Sequence, residues 1–224
     1  MKVRLISKST SPETSEFKGM NNAQDIVAYC ARVSNPSNQI NTETSERLIR
    51  YLVKHQHWSP LEMVNACLEI ETTRDIAHQI VRHRSFAFQE FSQRYANPEE
   101  QGDMFEYSEA RLQDTKNRQN SIETSDVGLQ SWWDAQQKFV AEISKKIYDE
   151  ALEKGIAKEQ ARKVLPEGLT KTKLYMNGSL RSWIHYIELR SANGTQKEHM
   201  EIAHACAKVI AGIFPLMSEL QQGE

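Results

Sequence analysis

Arg82, His83 and Arg84 are consecutive, so their like charges crowd one another unless an anion or carboxylates neutralise them. They follow an apolar helical stripe through Ile76, Ile80 and Val81, which sets them at the core boundary and not in open water. Just beyond, Glu90, Ser92 and Arg94 alternate. In an extended chain that spacing puts a carboxylate, a hydroxyl and a guanidinium on one side. Such a row facing an arginine cluster suits a phosphorylated ligand that also makes hydrogen bonds. Ser92 has no base assignable as its partner, which disfavours a serine nucleophile.

Charge is distributed in the same sense. Across 224 residues, 28 Lys and Arg oppose 30 Asp and Glu, a formal net charge of −2. Residues 74–94 are nevertheless net +2 and residues 162–190 net +4, leaving −8 on the remainder. Two basic islands in an acidic chain point to small anionic ligands and away from a nucleic-acid polyanion, since one or two phosphates need only a few arginines. The alternative for each arginine is an ordinary solvated ion pair. No pair of the nine glycines fits a GxGxxG or GxxxxGK[ST] frame, so side chains must hold any phosphate. Cys30, Cys67 and Cys206 form no CxxC pair and read as reduced thiols packed in the core. His55, His78, His199 and His204 have no metal-ligand spacing, and no metal is expected. The N-terminal apolar run is too short for a signal peptide, and no stretch reaches the ~18 apolar residues of a membrane span. A cytoplasmic protein is the expectation.

The elements that must position these groups alternate in type. Residues 2–7 read as a strand. A helix capped by Asn21 or Asn22 runs to about Val33, and another spans about Thr44 to His55. Residues 64–71 alternate as a half-buried strand, and Thr73 to His83 returns to helical period. Residues 96–128 are polar and predict a surface excursion with a short helix near Tyr107 to Leu112. A long helix follows over about Leu129–Lys154, then one from Lys158 to Val164 stopped by Pro166. A short strand is expected at Lys173–Met176, then helices at Ser179–Arg190 and Gln196–Leu220, the last interrupted at Gly212 and Pro215. Trp183, Ile184 and Ile187 have core spacing, and Trp132 and Trp133 read as core or interface residues. The sum is one α+β domain over 1–224, helix-rich, packed on a small, mostly antiparallel central sheet.

The stretch RHRSFAFQEFSQR at 82–94 resembles the signature of the flavin-dependent thymidylate synthases, the ThyX family. Four further stretches match that family in order: ARVS at 31–34, HWSPLE at 57–62, ARKVLP at 161–166 and SLRSWIHYIELR at 179–190. The departures are Ala87 for an internal serine, Gln89 for a common asparagine, Met63 for a frequent histidine and Ser179 for the usual asparagine. The resemblance implies reductive methylation of dUMP to dTMP. 5,10-Methylenetetrahydrofolate would donate the carbon, and FAD reduced by NADPH the hydride. It also implies a homotetramer with active sites shared between subunits.

Residue by residue, the resemblance places Arg190 against the O2/N3 edge of dUMP as the electrostatic catalyst. Arg94 and Arg162 would hold the phosphate. Gln79, Ile80, Val81, Arg82, Glu90, Phe91, Ser92 and Gln93 would complete the nucleotide pocket. For FAD the matched positions are Ser59, Arg82, His83, Arg84, Glu90, Ser179, Leu180, Arg181 and His185, with His57 and Ser34 as secondary matches. Helix geometry adds one constraint. At ~100° per residue, Arg181 and His185 share a face while Arg190 lies about 180° from Arg181. A straight helix could not bring both arginines to one pocket of the same chain, which again predicts sites shared between subunits. The competing readings are a nucleotide- or nucleic-acid-binding module built on Phe86, Phe88, Phe91 and Tyr95, and a structural protein with buried Arg–Glu networks.

Overall fold

A computed structural model describes residues 2–14, 17, 19–20 and 22–220. In chain order the elements are β1 (Lys2–Lys8), α1 (Ala23–Ala31), α2 (Ser45–Lys54), β2 (Asn65–Thr73), α3 (Arg74–Ile80) and β3 (Ala87–Glu90). Next come β4 (Arg111–Gln113), β5 (Ser121–Glu123), α4 (Val127–Glu153) and α5 (Lys158–Ala161). The chain closes with β6 (Lys171–Ser179), α6 (Leu180–Ser191), α7 (Lys197–Ala211) and α8 (Met217–Leu220). The main sheet has the order β1-β2-β6-β3 and is antiparallel throughout. It is therefore a mixed helix-and-sheet fold with a small antiparallel sheet. No helix among the described residues is long and apolar enough to cross a membrane.

The sheet has two unlike faces because its strands alternate in burial. Ala66, Leu68 and Ile70 of β2 pair with Gly178, Met176 and Leu174 of β6, and the five side chains on this face enter the core with Ile76, Ile80, Trp183 and Ile187. The opposite face carries Arg4, Glu69, Lys173 and Tyr175, with Arg4 forked onto Glu69 at 2.6 and 2.9 Å. Helices α3, α6 and α7 pack on the apolar face. The expected strand at Lys173–Met176 is in fact nine residues long and central. Its ends carry lysine, asparagine and glycine, which weaken the strand pattern although all nine pair with β2.

Asn22 caps α1, its side chain accepting from the Asp25 amide, while Asn21 lies outside the described residues. Residues 107–112 are not helical, contrary to expectation. Two glutamines on α4 clamp that backbone extended: Gln137 bonds both N–H and C=O of Ser108, and Gln130 does the same to Ala110. Residues 111–113 then pair with 121–123 as a hairpin. The last helix breaks where Gly212 and Pro215 predict. Cys206 is buried, but Cys30 and Cys67 are only half-buried, so the core expectation holds for one of three.

Trp132 and Trp133 are not core residues. Both are exposed on α4, whose buried stripe is only Gln137, Ala141, Ser144, Tyr148 and Ala151. Tyr148 and Ala151 join Met104 and Ala161 in a small cluster separate from the main core.

Gly178 shows how tightly the sheet meets the segment after the arginine triplet. A Cβ there would stand 2.4 Å from Phe86 Cδ1. The Phe86 ring cannot easily yield, because Trp183 and Tyr186 pack edge-on against it at 4.9 and 5.9 Å. Gly178→Ala is expected to destabilise the fold by about 1–3 kcal/mol. Thermal unfolding checks this, at roughly 2–4 °C per kcal/mol for a chain of this size.

Candidate active site

The arginine triplet lies on a turn. Helix α3 stops at Ile80, and β3 begins at Ala87. Ser182 Oγ donates to the Ser85 carbonyl, and Phe86 is wedged over Trp183, so the turn is fastened to the start of α6. Arg82 and Arg84 are exposed and make no ion pair among the described residues, leaving both charges available to an anion.

His83 points the other way, toward the far end of α6. Arg190 Nε donates to His83 Nε2 at 2.9 Å. An acceptor Nε2 requires a neutral imidazole with its proton on Nδ1. Burial first, then the positive charge of Arg190, lowers the His83 pKa to about 4, so it stays neutral at pH 7. A neutral partner holds the guanidinium without cancelling its charge, and the two terminal nitrogens remain for a ligand. Behind His83 the Tyr186 ring packs edge-on at 4.9 Å. Tyr186 and the fully buried His199 share a 3.1 Å hydrogen bond, and the other His199 nitrogen lies 3.2 Å from Gln79 Oε1. Gln79 Nε2 donates to Gln196 at 2.7 Å. Gln79, His83 and Arg190 therefore belong to one cluster. Nothing in the sequence marked Tyr186, His199 or Gln196, because they come from α6, α7 and its leading residue and meet only in the fold.

A second cluster lies along β3 and the 161–167 segment. Glu90 accepts from Thr172 Oγ1 at 2.9 Å and faces Arg74 at 3.4 Å. Strand β3 ends there. The chain turns at Ser92, whose carbonyl accepts from both Tyr95 and Ala96, so the expected row of Glu90, Ser92 and Arg94 on one side is not formed. The Phe91 amide is committed to the Lys173 carbonyl. Arg94 projects outward toward Glu159 at 3.6 Å. Gln93 is buried, and its Nε2 finds no partner among the described residues. It lines a 250 Å³ cleft with Arg74, Arg162 and Lys163, three cations against Glu167. An orphaned donor beside three cations suits an anionic group.

The third cluster surrounds the N-terminus of α6. Ser179 caps the helix, its hydroxyl accepting from the Ser182 amide. Arg181 is bonded to Glu62 at 2.6 Å, next to the 3₁₀ turn Ser59–Glu62 that exposes Ser59. His185 packs edge-on against Trp58 at 4.6 Å. Arg181 and Arg190 thus leave opposite sides of one continuous helix, as the wheel requires. No hydrogen bond or ion pair among the described residues joins Arg190 to Arg94, Arg162 or Arg181. Ile80 and Leu180 bury their side chains completely, leaving only main-chain atoms to meet a ligand, while Val81 is exposed.

No cysteine in this setting is activated. Burial raises the thiol pKa of Cys30, Cys67 and most of all Cys206, so even Cys206, which lies near enough to Tyr186 to influence it, stays a protonated thiol.

The two buried imidazoles set an acid limit on stability. His83 falls to about 4 and His199 to about 3, the latter through burial, then Arg190 and His83. Unfolding restores an ordinary value near 6.5 for both, so the unfolded chain binds more protons between these limits. Their contribution to stability is present above pH ~6.5 and is lost as pH falls toward 4 and 3. Urea midpoints should therefore drop from pH 7 to 5, with His199 contributing up to about 1.4 kcal/mol per pH unit. A flat profile over that window would contradict the neutral assignment.

The fold recurs in a solved structure described as a UMP/dUMP methylase, PolB from Streptomyces cacaoi bound with 5-Br dUMP. The TM-score is 0.76, at 24% identity, over 98% of this chain and 93% of that one. That likeness defines the architecture. Residues 17–216 match the Thy1 family, described as thymidylate synthase complementing protein, and the chain belongs to that family. It is 49% identical over 218 residues to the flavin-dependent thymidylate synthase of Synechocystis sp., covering 97% of this chain and 98% of that protein. It is 48% identical over 219 residues to a probable flavin-dependent thymidylate synthase of Paramecium bursaria Chlorella virus 1, covering 98% of each.

Proposed function

We infer that this protein is a flavin-dependent thymidylate synthase that methylates dUMP to dTMP. 5,10-Methylenetetrahydrofolate is the carbon donor, and the pathway served is dTMP biosynthesis. The observation that carries the reading is Arg190 held by a neutral acceptor beside Gln79, with no activated thiol nearby. Uracil is a poor nucleophile at C5. It is activated either by a thiolate adding at C6 or by a positive charge against the ring. Only the second fits these residues. The Arg190 terminal nitrogens lie against the O2/N3 edge and stabilise the anionic ring, raising electron density at C5.

The residues also fit a flavin dinucleotide. Arg82 and Arg84 are cations without partners among the described residues, the α6 N-terminus adds Ser59, Ser179, Leu180, Arg181 and His185, and His83 and Glu90 are the remaining matched positions. When bound, FAD reduced by NADPH supplies the hydride that completes the methyl group. Arg181 would have to leave Glu62 to hold the cofactor. On the nucleotide, Arg94 and Arg162 hold the phosphate, the orphan Gln93 amide donates to it, and Ser92, Phe91, Glu90, Arg82 and the 79–81 backbone close the pocket.

The site is completed by further copies of the chain, as a homotetramer. Two observations support this. Arg181 and Arg190 leave α6 on opposite sides. Helix α4 also leaves Trp132, Phe139, Val140, Ile143 and Ile147 between 42% and 59% exposed, a surface too apolar to face water unaided. Mixed oligomers of an Arg190→Ala chain and an Arg181→Ala chain should recover activity that neither shows alone.

The absorption spectrum of the purified protein, followed by assay with dUMP, methylenetetrahydrofolate and NADPH, tests the reading. Flavin bands and dTMP are expected. A colourless protein that takes up no FAD and yields no dTMP would overturn it.

A further inference from the structure

The hydrogen bonds around His199 run in one direction. Gln79 Nε2 donates to Gln196, so its oxygen is the atom that faces His199, at 3.2 Å from Nδ1. An amide oxygen can only accept, hence Nδ1 carries the proton. The imidazole is fully buried and neutral, leaving Nε2 as an acceptor for the Tyr186 hydroxyl at 3.1 Å. Donation therefore passes from Tyr186 to His199, from His199 to Gln79 and from Gln79 to Gln196.

The anchor is Tyr186, which is buried and whose hydroxyl meets only His199 among the described residues, so its proton goes to Nε2 and the ring proton stays on Nδ1. Against that donor, a 180° flip of the Gln79 amide would set N–H against N–H at His199. One lone pair on Oε1 and one N–H on Nε2 stay uncommitted, and the relay decides where each points. The Tyr186 ring also backs His83, which holds Arg190, so one buried wedge supports both groups.

We propose that His199 is a positioning residue for the nucleotide pocket: with Tyr186 it locks the Gln79 amide in the single orientation that dUMP meets. The proposal rests on the reading of Gln79 as a dUMP contact.

The test uses the full-length, FAD-loaded protein carrying His199→Leu, His199→Asn, Tyr186→Phe or Gln79→Ala. The dUMP dissociation constant is measured by calorimetry, alongside KM, kcat, flavin absorbance and thermal midpoint. An asparagine amide can place its nitrogen where Nδ1 lies, restoring the donor to Gln79. His199→Leu is expected to weaken dUMP about tenfold, the scale of one lost hydrogen bond, with FAD content unchanged. His199→Asn should stay within about threefold of wild type, and Tyr186→Phe should fall between them. Equal losses for the leucine and asparagine variants, or unchanged dUMP affinity in both, overturn the proposal. If the leucine variant does not fold, Tyr186→Phe decides: affinity equal to wild type overturns the lock. Gln79→Ala separates the two levels. Unchanged affinity there defeats the reading of Gln79 itself, whereas weakened affinity there with His199→Leu unaffected defeats only the lock.

Discussion

Arg190→Ala is expected to lower the rate of dTMP formation by roughly 10²–10³-fold, the scale of removing one preorganised donor from a developing anion. Flavin should remain bound, because Arg82, Arg84 and Arg181 are untouched. The loss should fall on kcat more than on dUMP KM, since the charge acts on the ring as it becomes anionic. Lysine is not an adequate substitute. Arg190 uses Nε to reach His83 and presents its terminal nitrogens beyond it, and a single ammonium cannot do both. Steady-state kinetics with a flavin spectrum on the same preparation checks this. Loss of FAD in parallel with activity would assign Arg190 to cofactor binding instead.

Arg162→Ala should act in the opposite way, raising dUMP KM by about 10- to 100-fold with kcat largely preserved. Arg162 lines the cleft with Arg74, Lys163 and the orphaned Gln93 amide, a setting that suits a phosphate at rest as well as in reaction. Charge-assisted hydrogen bonds are worth ~1.5–3 kcal/mol, which converts to that range. The uncharged nucleoside should lose nothing further in the variant. Equal sensitivity of deoxyuridine and dUMP would show that Arg162 does not meet the phosphate.

The sequence was informative where chemistry is local. Periodicity placed α2, α4 and α6 to within a few residues, and five motifs carried the family resemblance with the arginines in place. It failed where distant groups override propensity. Gln130 and Gln137 hold 108–110 extended from another element, so residues 107–112 could not be read correctly by themselves. The turn at Ser92 broke an alternation that looked like a strand face. The charged arginines stood out, but the neutral atoms that aim them did not. His83 as an acceptor, the buried His199 and the uncommitted Gln93 amide are defined by tertiary neighbours.

The central claim is that a cation, without a thiolate, activates the pyrimidine. The most direct measurement is dTMP formation by the FAD-loaded triple variant Cys30→Ala, Cys67→Ala, Cys206→Ala. Circular dichroism confirms that it is folded at the assay temperature, since Cys206 is fully buried and its truncation costs stability. The account predicts dTMP formation that still requires NADPH and still collapses with Arg190→Ala. A folded, flavin-bound triple variant that forms no dTMP would contradict it.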